Sequence, residues 1–480
     1  MMPFIPDKSN YRYETVPQRG LNGRIGYQPR GRGLGGSSAI NAMVYIRGCK
    51  WDYDNWAALG ATGWGYDEVL PYFKRAEHNE RGGDAFHGTG GPLNVMDQHY
   101  PHPGSAEFLE AAASLQMPRT SDFNGAQFEG VGMYQVTQKS GERWSAARAY
   151  VEPEKATGRL HVITDTLVER IGFEGKRATT VHTRRGKTSG QVRARRAIVL
   201  AGGVFGTAQT LMLSGIGPAD HLKANGIDVL VDRPAVGSNL HDHIDYVSGY
   251  ETPGMYFLGQ TLRGNFQSLL GIFEWLRKRS GPLTTPYAEA GGFAKTRADV
   301  DVPDVQFHFV PVLLEDHGRT KVKAHGFSCH VCVLRPHSRG TVRLASADPA
   351  KAPLIDPAFL TDDRDVATLL AGVKLMNRIL ESAPLSRHGG RDRYTAGVTD
   401  DAALIEIIRN RADTVYHPVG TARMGSDEDA VVDPQLRVRG VEGLYIADAS
   451  VMPQVVSGNT NAPSIMIGER CADFVRADLA

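Results

Sequence analysis

Residues 196–217 read RAIVLAGGVFGTAQTLMLSGIG. The first part is a short apolar run with β-branched Ile198 and Val199, ended by paired glycines. It reads as a buried strand. The remainder reads as a helix closed by Gly215. The same grammar returns near the C-terminus. GLYIADAS (443–450) is a second strand, and NAPSIMIGERCADFVRADL (461–479) a second helix, with Asn461 as candidate N-cap and Pro463 in its first turn. Strand, glycine-rich turn and helix in alternation define a doubly wound parallel sheet.

Between about 240 and 400 the pattern changes. DVQFHFVPVLL (304–314) and FSCHVCVL (327–334) read as antiparallel strands, and TLLAGVKLMNRILES (368–382) as an amphipathic helix. The expected organisation is α/β: a doubly wound first domain over 1–240, an α+β domain on an antiparallel sheet inserted over 241–400, and a return to the first domain over 401–480.

The chain has 480 residues, 41% hydrophobic and 22% charged, with a formal net charge of +1. That balance argues against nucleic acid or an anionic surface as a dedicated partner. No apolar run is long enough to span a membrane, and MMPFIPDKSNYRYE lacks the pattern of a signal peptide, so a cytoplasmic location is expected. Four cysteines are too few for a disulfide framework. Cys329 and Cys332 form a C-x-x-C, but on a strand positions i and i+3 face opposite sides, so a redox or zinc role is not expected. His241 and His243 in LHDHID lack a third ligand at metal-site spacing, so no metal is expected.

Four segments carry chemistry. PRGRGLGGSSAINAMVYIRG (29–48) packs glycines and serines ahead of Asn41; its amides can approach a flat ring or a phosphate. GGVFGTAQTLMLSGIGP (202–218) follows a buried strand, at whose carboxyl end ligands bind in such sheets. In YHPVGTARMG (416–425), His417 follows a polar turn and precedes Pro418, a setting for a general base. In YIADASVMPQVVSGNTNAPSIM (445–466), Asp448 ends a strand where a carboxylate can reach ribose or ribityl hydroxyls. Asn459 and Asn461 lead into a helix N-terminus that favours an anion.

Together and in this order, these segments resemble the glucose–methanol–choline family of FAD-dependent alcohol oxidoreductases. AVGSNLHDH (235–243), SGPLTTPYAEAGGF (280–293) and LRPHSRGTVRL (334–344) resemble further segments of that family. The resemblance implies FAD as cofactor and oxidation of a primary alcohol to an aldehyde, in the manner of the choline-dehydrogenase-like branch. It implies His417 as the base that takes the hydroxyl proton and Asn459 as the partner that hydrogen-bonds the substrate oxygen. It implies FAD contacts from Gly35, Gly36, Ser37, Asn41, Ala42, Met43, Val44, Asp448, Ala449 and Asn461, with the backbone of Val168 meeting the adenine.

Two departures matter. Ile40 stands where some members carry the histidine that binds FAD covalently, so non-covalent FAD is expected. The family's opening strand, G-x-G-x-x-G turn and acidic residue are not found ahead of the first signature. The first domain is therefore expected to be N-terminally incomplete, through a late-started reading frame or a genuine truncation. Glu289 could face a cationic head group such as choline's, or be a loop or strand-edge carboxylate. The electron acceptor, a quinone, another carrier or oxygen, is open, and a quinone would bring peripheral membrane association. Competing functions are a non-redox lyase on the same fold and a non-catalytic remnant.

Overall fold

The computed structural model describes residues 7–480. The decisive stretch folds as read. Ile198–Leu200 is a strand, Gly203–Leu213 a helix, and Gly215 adopts φ +82 just beyond the Ser214 C-cap. That left-handed conformation is nearly free for glycine. Ile198–Leu200 pairs in parallel with Leu444–Ile446, about 250 residues further on. Around this pair lies a large apolar core containing Trp56, Trp64, Phe205 and Met466. A three-stranded antiparallel sheet, Leu167–Glu174, Arg177–Arg185 and Thr188–Arg193, packs beside the helix Gly203–Leu213.

The C-terminal helix is Asn461–Leu479, but its N-cap is Thr460 rather than the expected Asn461. The first helical hydrogen bond runs from the Ser464 N–H to the Thr460 carbonyl, which makes Asn461 the first helical residue. Pro463 sits in the first turn, where its missing N–H removes no helical bond.

The parallel sheet has two strands among the described residues. The spacing G-x-G-x-x-G does occur at Gly31, Gly33 and Gly36, but there it leads into a 3-10 turn, Gly36–Ala39, and not from a strand into an α-helix.

The second layer system is a seven-stranded antiparallel sheet. Its path runs Arg391–Asp392, Ile244–Thr252, His325–Val333, Val305–Val310, Ala290–Ala294 and Gly130–Met133, with Asp413–Thr414 also paired to Ile244–Thr252. Two of its strands thus come from outside 241–400. Conversely, Val342, Leu344 and Ile355 from within that range join the core around the parallel pair.

Alternation along the central strands separates the sheet's faces. Phe307, Phe309, Phe327, Cys329 and Val331 pack into a core with the helix Asp363–Glu381. Gln306, His308, His330 and Cys332 take the opposite face by the same alternation. Cys329 and Cys332 therefore enter different cores, and both are free thiols raised in pKa by burial.

Candidate active site

A cavity of about 1310 Å³ lies between the parallel pair and the second face of the antiparallel sheet. Its wall includes every residue that the resemblance assigned to catalysis or to FAD: Gly35, Gly36, Ser37, Asn41, Ala42, Met43, Val44, Val168, His417, Asp448, Ala449, Asn459 and Asn461. Three distant parts of the chain thus meet in one space.

The glycine loop is shaped from within. Gly35 and Gly36 have φ +86 and +52, and a side chain on Gly36 would meet no protein atom within 4 Å. The same open space faces Gly203 and Gly206. A cradle of bare backbone next to unfilled volume is what a close-approaching ligand needs. Asn41 uses its side chain to hold the loop: its Oδ1 accepts from the Met43 N–H at 3.0 Å and from Arg143 Nη1 at 2.6 Å.

Asp448 lies on the cavity wall with its carboxylate engaged by protein donors. Its Oδ2 accepts from the Gly203 N–H at 2.9 Å and from Thr207 Oγ1 at 2.6 Å, and its Oδ1 from the Ser450 N–H at 2.8 Å. The carboxylate caps the helix Gly203–Leu213 across the parallel pair, where the helix dipole favours negative charge. Most of its accepting capacity is spent on this clamp and not on a ligand hydroxyl.

His417 is held by its backbone. Tyr416 adopts φ +77, rare for a bulky residue, and its N–H donates to Thr414 Oγ1 at 2.6 Å. The His417 N–H donates to Asp242 Oδ1 at 2.8 Å, and Thr414 donates to the other oxygen of the same carboxylate. Burial raises Asp242 to about 6.

The imidazole of His417 stands in a relay that fixes its tautomer. His243 Nε2 lies 3.0 Å from the Leu334 carbonyl, which can only accept, so Nε2 carries the proton. Burial holds His243 near 3, so the ring is neutral and its Nδ1 is a lone pair. That lone pair is 3.0 Å from His417 Nδ1, which must therefore be the protonated nitrogen. His417 Nε2 is left as a lone pair, 3.1 Å from the Nδ2 donor of Asn459. The Asn459 amide is oriented in turn by Gln306 Nε2, which donates to its Oδ1 at 3.2 Å. Burial, then His243, His308 and Arg30, hold His417 well below the usual imidazole range.

Sequence reasoning missed His243, His308 and Arg30. His243 comes beside His417 from 174 positions away, and LHDH marked it only as half of an unsupported metal pair. His308 lies on the cavity wall beside Asn459 and is held near 3 by burial. Only the period-2 alternation of DVQFHFV could have pointed it toward the site. Arg30 is a buried guanidinium on the wall, with Nε and Nη2 unpartnered and Nη1 donating to the Tyr416 carbonyl at 3.1 Å. His241 is a core histidine: Nδ1 lies 2.7 Å from the Asn239 carbonyl, and Nε2 accepts from the Val455 N–H at 2.9 Å.

Glu289 does not face the cavity. It is 1% exposed, accepting from the His102 N–H, Ser105 Oγ and Thr285 Oγ1 at 2.6–2.7 Å. It is a strand-edge carboxylate satisfied by its neighbours, so the head-group role is set aside.

The residues present suit a large, flat, anionic cofactor. The cavity has the volume, the glycine backbone leaves close-approach surface, the buried Arg30 guanidinium has two nitrogens without partners, and the helix Asn461–Leu479 aims its N-terminus at the space. The sequence models of GMC oxidoreductases match residues 13–245 and 336–468. The chain belongs to the GMC oxidoreductase family. It is 42% identical to an alcohol dehydrogenase [acceptor] from Pseudomonas putida, over 98% of this chain and 87% of that one. It is 41% identical to the mitochondrial choline dehydrogenase of Homo sapiens, over 99% of this chain and 80% of that one. Its fold matches an FAD-dependent oxidoreductase from Chaetomium thermophilum at a TM-score of 0.90 and 27% identity, covering 99% of this chain and 91% of that one.

Proposed function

We propose that His417 and Asn459 carry the chemistry of this FAD-dependent alcohol oxidoreductase. The enzyme acts on a small-molecule alcohol, as its family and its relatives' names indicate. The observation that carries the assignment of roles is the relay from Leu334 through His243 and His417 to Asn459. It leaves one basic lone pair, His417 Nε2, and one amide donor, Asn459 Nδ2, side by side at the cavity wall. An alcohol oxygen between them gives its proton to His417 Nε2 while Asn459 donates to the oxygen as negative charge develops there. FAD, when bound, supplies the acceptor for the hydride that leaves the carbinol carbon, and the product is an aldehyde. The proton taken by His417 and the hydride together account for the two hydrogens lost.

Gly35, Gly36, Ser37, Asn41, Ala42, Met43, Val44, Ala449 and Asn461 form the FAD wall in this reading, with Val168 at its far end. Ile40 offers no nucleophile, so FAD is held non-covalently. Residues 1–240 and 401–480 make the cofactor domain and 241–400 most of the substrate domain, the cavity lying between them. Val199, 45% exposed on a two-stranded parallel sheet, supports the reading that the opening βαβ unit is not in these 480 residues. The acceptor that reoxidises the flavin is a quinone, another carrier or oxygen, and the enzyme works on the cytoplasmic side.

The test is anaerobic reduction. The purified protein, reconstituted with FAD, is mixed with a panel of primary alcohols and the visible flavin band is followed. Bleaching by an alcohol in the native protein, lost in His417→Ala with the yellow colour retained, is the expected result. A flavin-replete protein that no alcohol bleaches would sink the proposal and favour the lyase alternative. Failure to take up FAD would favour the remnant.

A further inference from the structure

The sheet side of the cavity carries a second polar pair that the chemistry at His417 does not use. Asp245 and His330 both line the space, on neighbouring strands of the antiparallel sheet. His330 Nδ1 lies 2.6 Å from Asp245 Oδ2, a charge-assisted contact that places the ring proton on Nδ1. His330 Nε2 is then a lone pair, and it has no hydrogen-bond partner among the described residues. The His330 side chain keeps 15% exposure where it lines the cavity, and Asp245 only 4%. Asp245 Oδ1 is buried and has no partner among the described residues either.

Two acceptors thus stand together with nothing to donate to them. The nearby donors are engaged elsewhere. Thr414 Oγ1 donates to Asp242, Tyr416 Oη is bound to His317 Nδ1 at 2.6 Å, and His317 Nε2 lies 3.0 Å from Asp413. Asp413 stands directly opposite Asp245 across the paired strands, so the corner is acidic. Leaving buried acceptors unpaired is costly, so such a pair suits a donor that arrives with a ligand. The corner is also within reach of the reacting pair. His308 sits beside Asn459, and its ring centre is 6.2 Å from that of His330. Val247 and Val310 flank these rings on the same wall.

We propose that Asp245 and His330 form a second substrate subsite, which takes a hydrogen-bond donor, a hydroxyl or a protonated amine, at the far end of the alcohol. This subsite rests on the reading of His417 and Asn459 as the reacting end. At roughly 1.2 Å per bond in an extended chain, about five bonds cover the 6.2 Å from His308 to His330. The fitting substrate is a short difunctional alcohol, its two heteroatoms separated by about four carbons. Val247 and Val310 offer the methylenes between them an apolar wall. His330 Nε2 and Asp245 Oδ1 select for an O–H or N–H group. A terminal methyl leaves both acceptors unpaired, and a quaternary ammonium brings charge but no donor.

The test is calorimetric titration of the FAD-reconstituted His417→Ala protein, in which bound ligand is not consumed. The probes are butane-1,4-diol, 4-aminobutan-1-ol, choline, and pentan-1-ol, which carries a methyl in place of the far hydroxyl. The diol and the amino alcohol should bind at least about tenfold tighter than pentan-1-ol. Adding His330→Leu should erase that preference, and adding Asp245→Asn should weaken the amino alcohol more than the diol. The preference is a ratio within one protein, so a variant that merely loosens the fold moves every probe alike. Diol and pentan-1-ol binding equally well overturns the proposal, as does a preference that survives His330→Leu. Choline bound as tightly as 4-aminobutan-1-ol overturns it too, assigning the corner to charge alone. His330-dependent binding of probes that the native enzyme fails to oxidise would refute the roles of His417 and Asn459 and leave the subsite standing.

Discussion

Replacing His243 by leucine tests the tautomer relay. Leucine fills much of the ring's volume but cannot accept a hydrogen bond. The change leaves two buried polar groups without partners, the Leu334 carbonyl and the His417 Nδ1–H. Each such loss costs about 1–3 kcal/mol, so stability falls by about 2–6 kcal/mol. The kinetic effect follows from the proton's position. In the native ring, acceptance by His243 Nδ1 favours the tautomer with a bare Nε2 by the worth of one neutral hydrogen bond, about 1 kcal/mol net and more in a dry site. Without it the proton can sit on Nε2, where the ring no longer serves as a base. The expected loss in kcat is about 10–100-fold, less than the 10²–10⁴ that general base catalysis as a whole contributes. His243→Gln is the control, since one amide can donate to Leu334 and accept from His417; it should restore most of kcat. The assay is single-turnover flavin reduction by alcohol, with His417→Ala as the floor. A folded, flavin-bound His243→Leu enzyme reducing within twofold of the native rate would refute the reasoning, because His417 would then need no partner to hold its tautomer.

Gly36→Val places a branched side chain at φ +52 and into the open cavity; the variant should keep native circular dichroism yet purify without flavin absorbance. Asp448→Asn puts an NH2 donor in place of one carboxylate oxygen, facing either the Gly203 N–H and Thr207 hydroxyl that share Oδ2 or the Ser450 N–H at Oδ1, and a fall of about 2–3 kcal/mol in urea unfolding is expected. His87, between Glu77 and Asp122, is raised to about 9 despite its burial, which works the other way. A raised histidine stabilises fully below its unfolded value and loses that contribution as pH climbs through the folded one, so stability should decline between about 6.5 and about 9. His87→Gln should flatten that decline; an identical pH profile in native and variant protein would count against it.

The parallel core was legible because its signals are local. Ile198 to Leu200, the glycines after them and the Gly215 stop lie within about twenty residues. The same holds for the Thr460–Pro463 region, where only the cap was off by one, since the first helical bond goes to the Thr460 carbonyl and no side chain caps the helix to mark its start. The cavity-facing residues of the glycine loop were legible for the same reason, and alternation alone set Cys329 and Cys332 on opposite faces. What escaped was pairing at a distance. His243 meets His417 because Ile244–Thr252 and Asp413–Thr414 are neighbouring strands, a fact of topology that no local pattern carries. The two readings of Glu289 stayed open, and the engagement of Asp448 by protein donors went unseen, for a related reason. A carboxylate near a site looks available until its N–H and O–H donors are located, and those donors lie up to 245 positions away.

The pairing of Ile198–Leu200 with Leu444–Ile446 also dictates an order of events during synthesis. When the first of these strands leaves the ribosome its partner does not yet exist. At about 5–20 residues per second the wait is about 12–50 s. Throughout that interval the glycine loop has no opposite wall, since His417, Asp448, Ala449, Asn459 and Asn461 are all still to be made. Any ribosome that stalls before residue 448 therefore releases a chain with most of its mass but no pocket. Cofactor capture is necessarily one of the last steps in the life of each new molecule, and the supply of finished C-termini, not of early domains, sets how much flavoprotein a cell obtains.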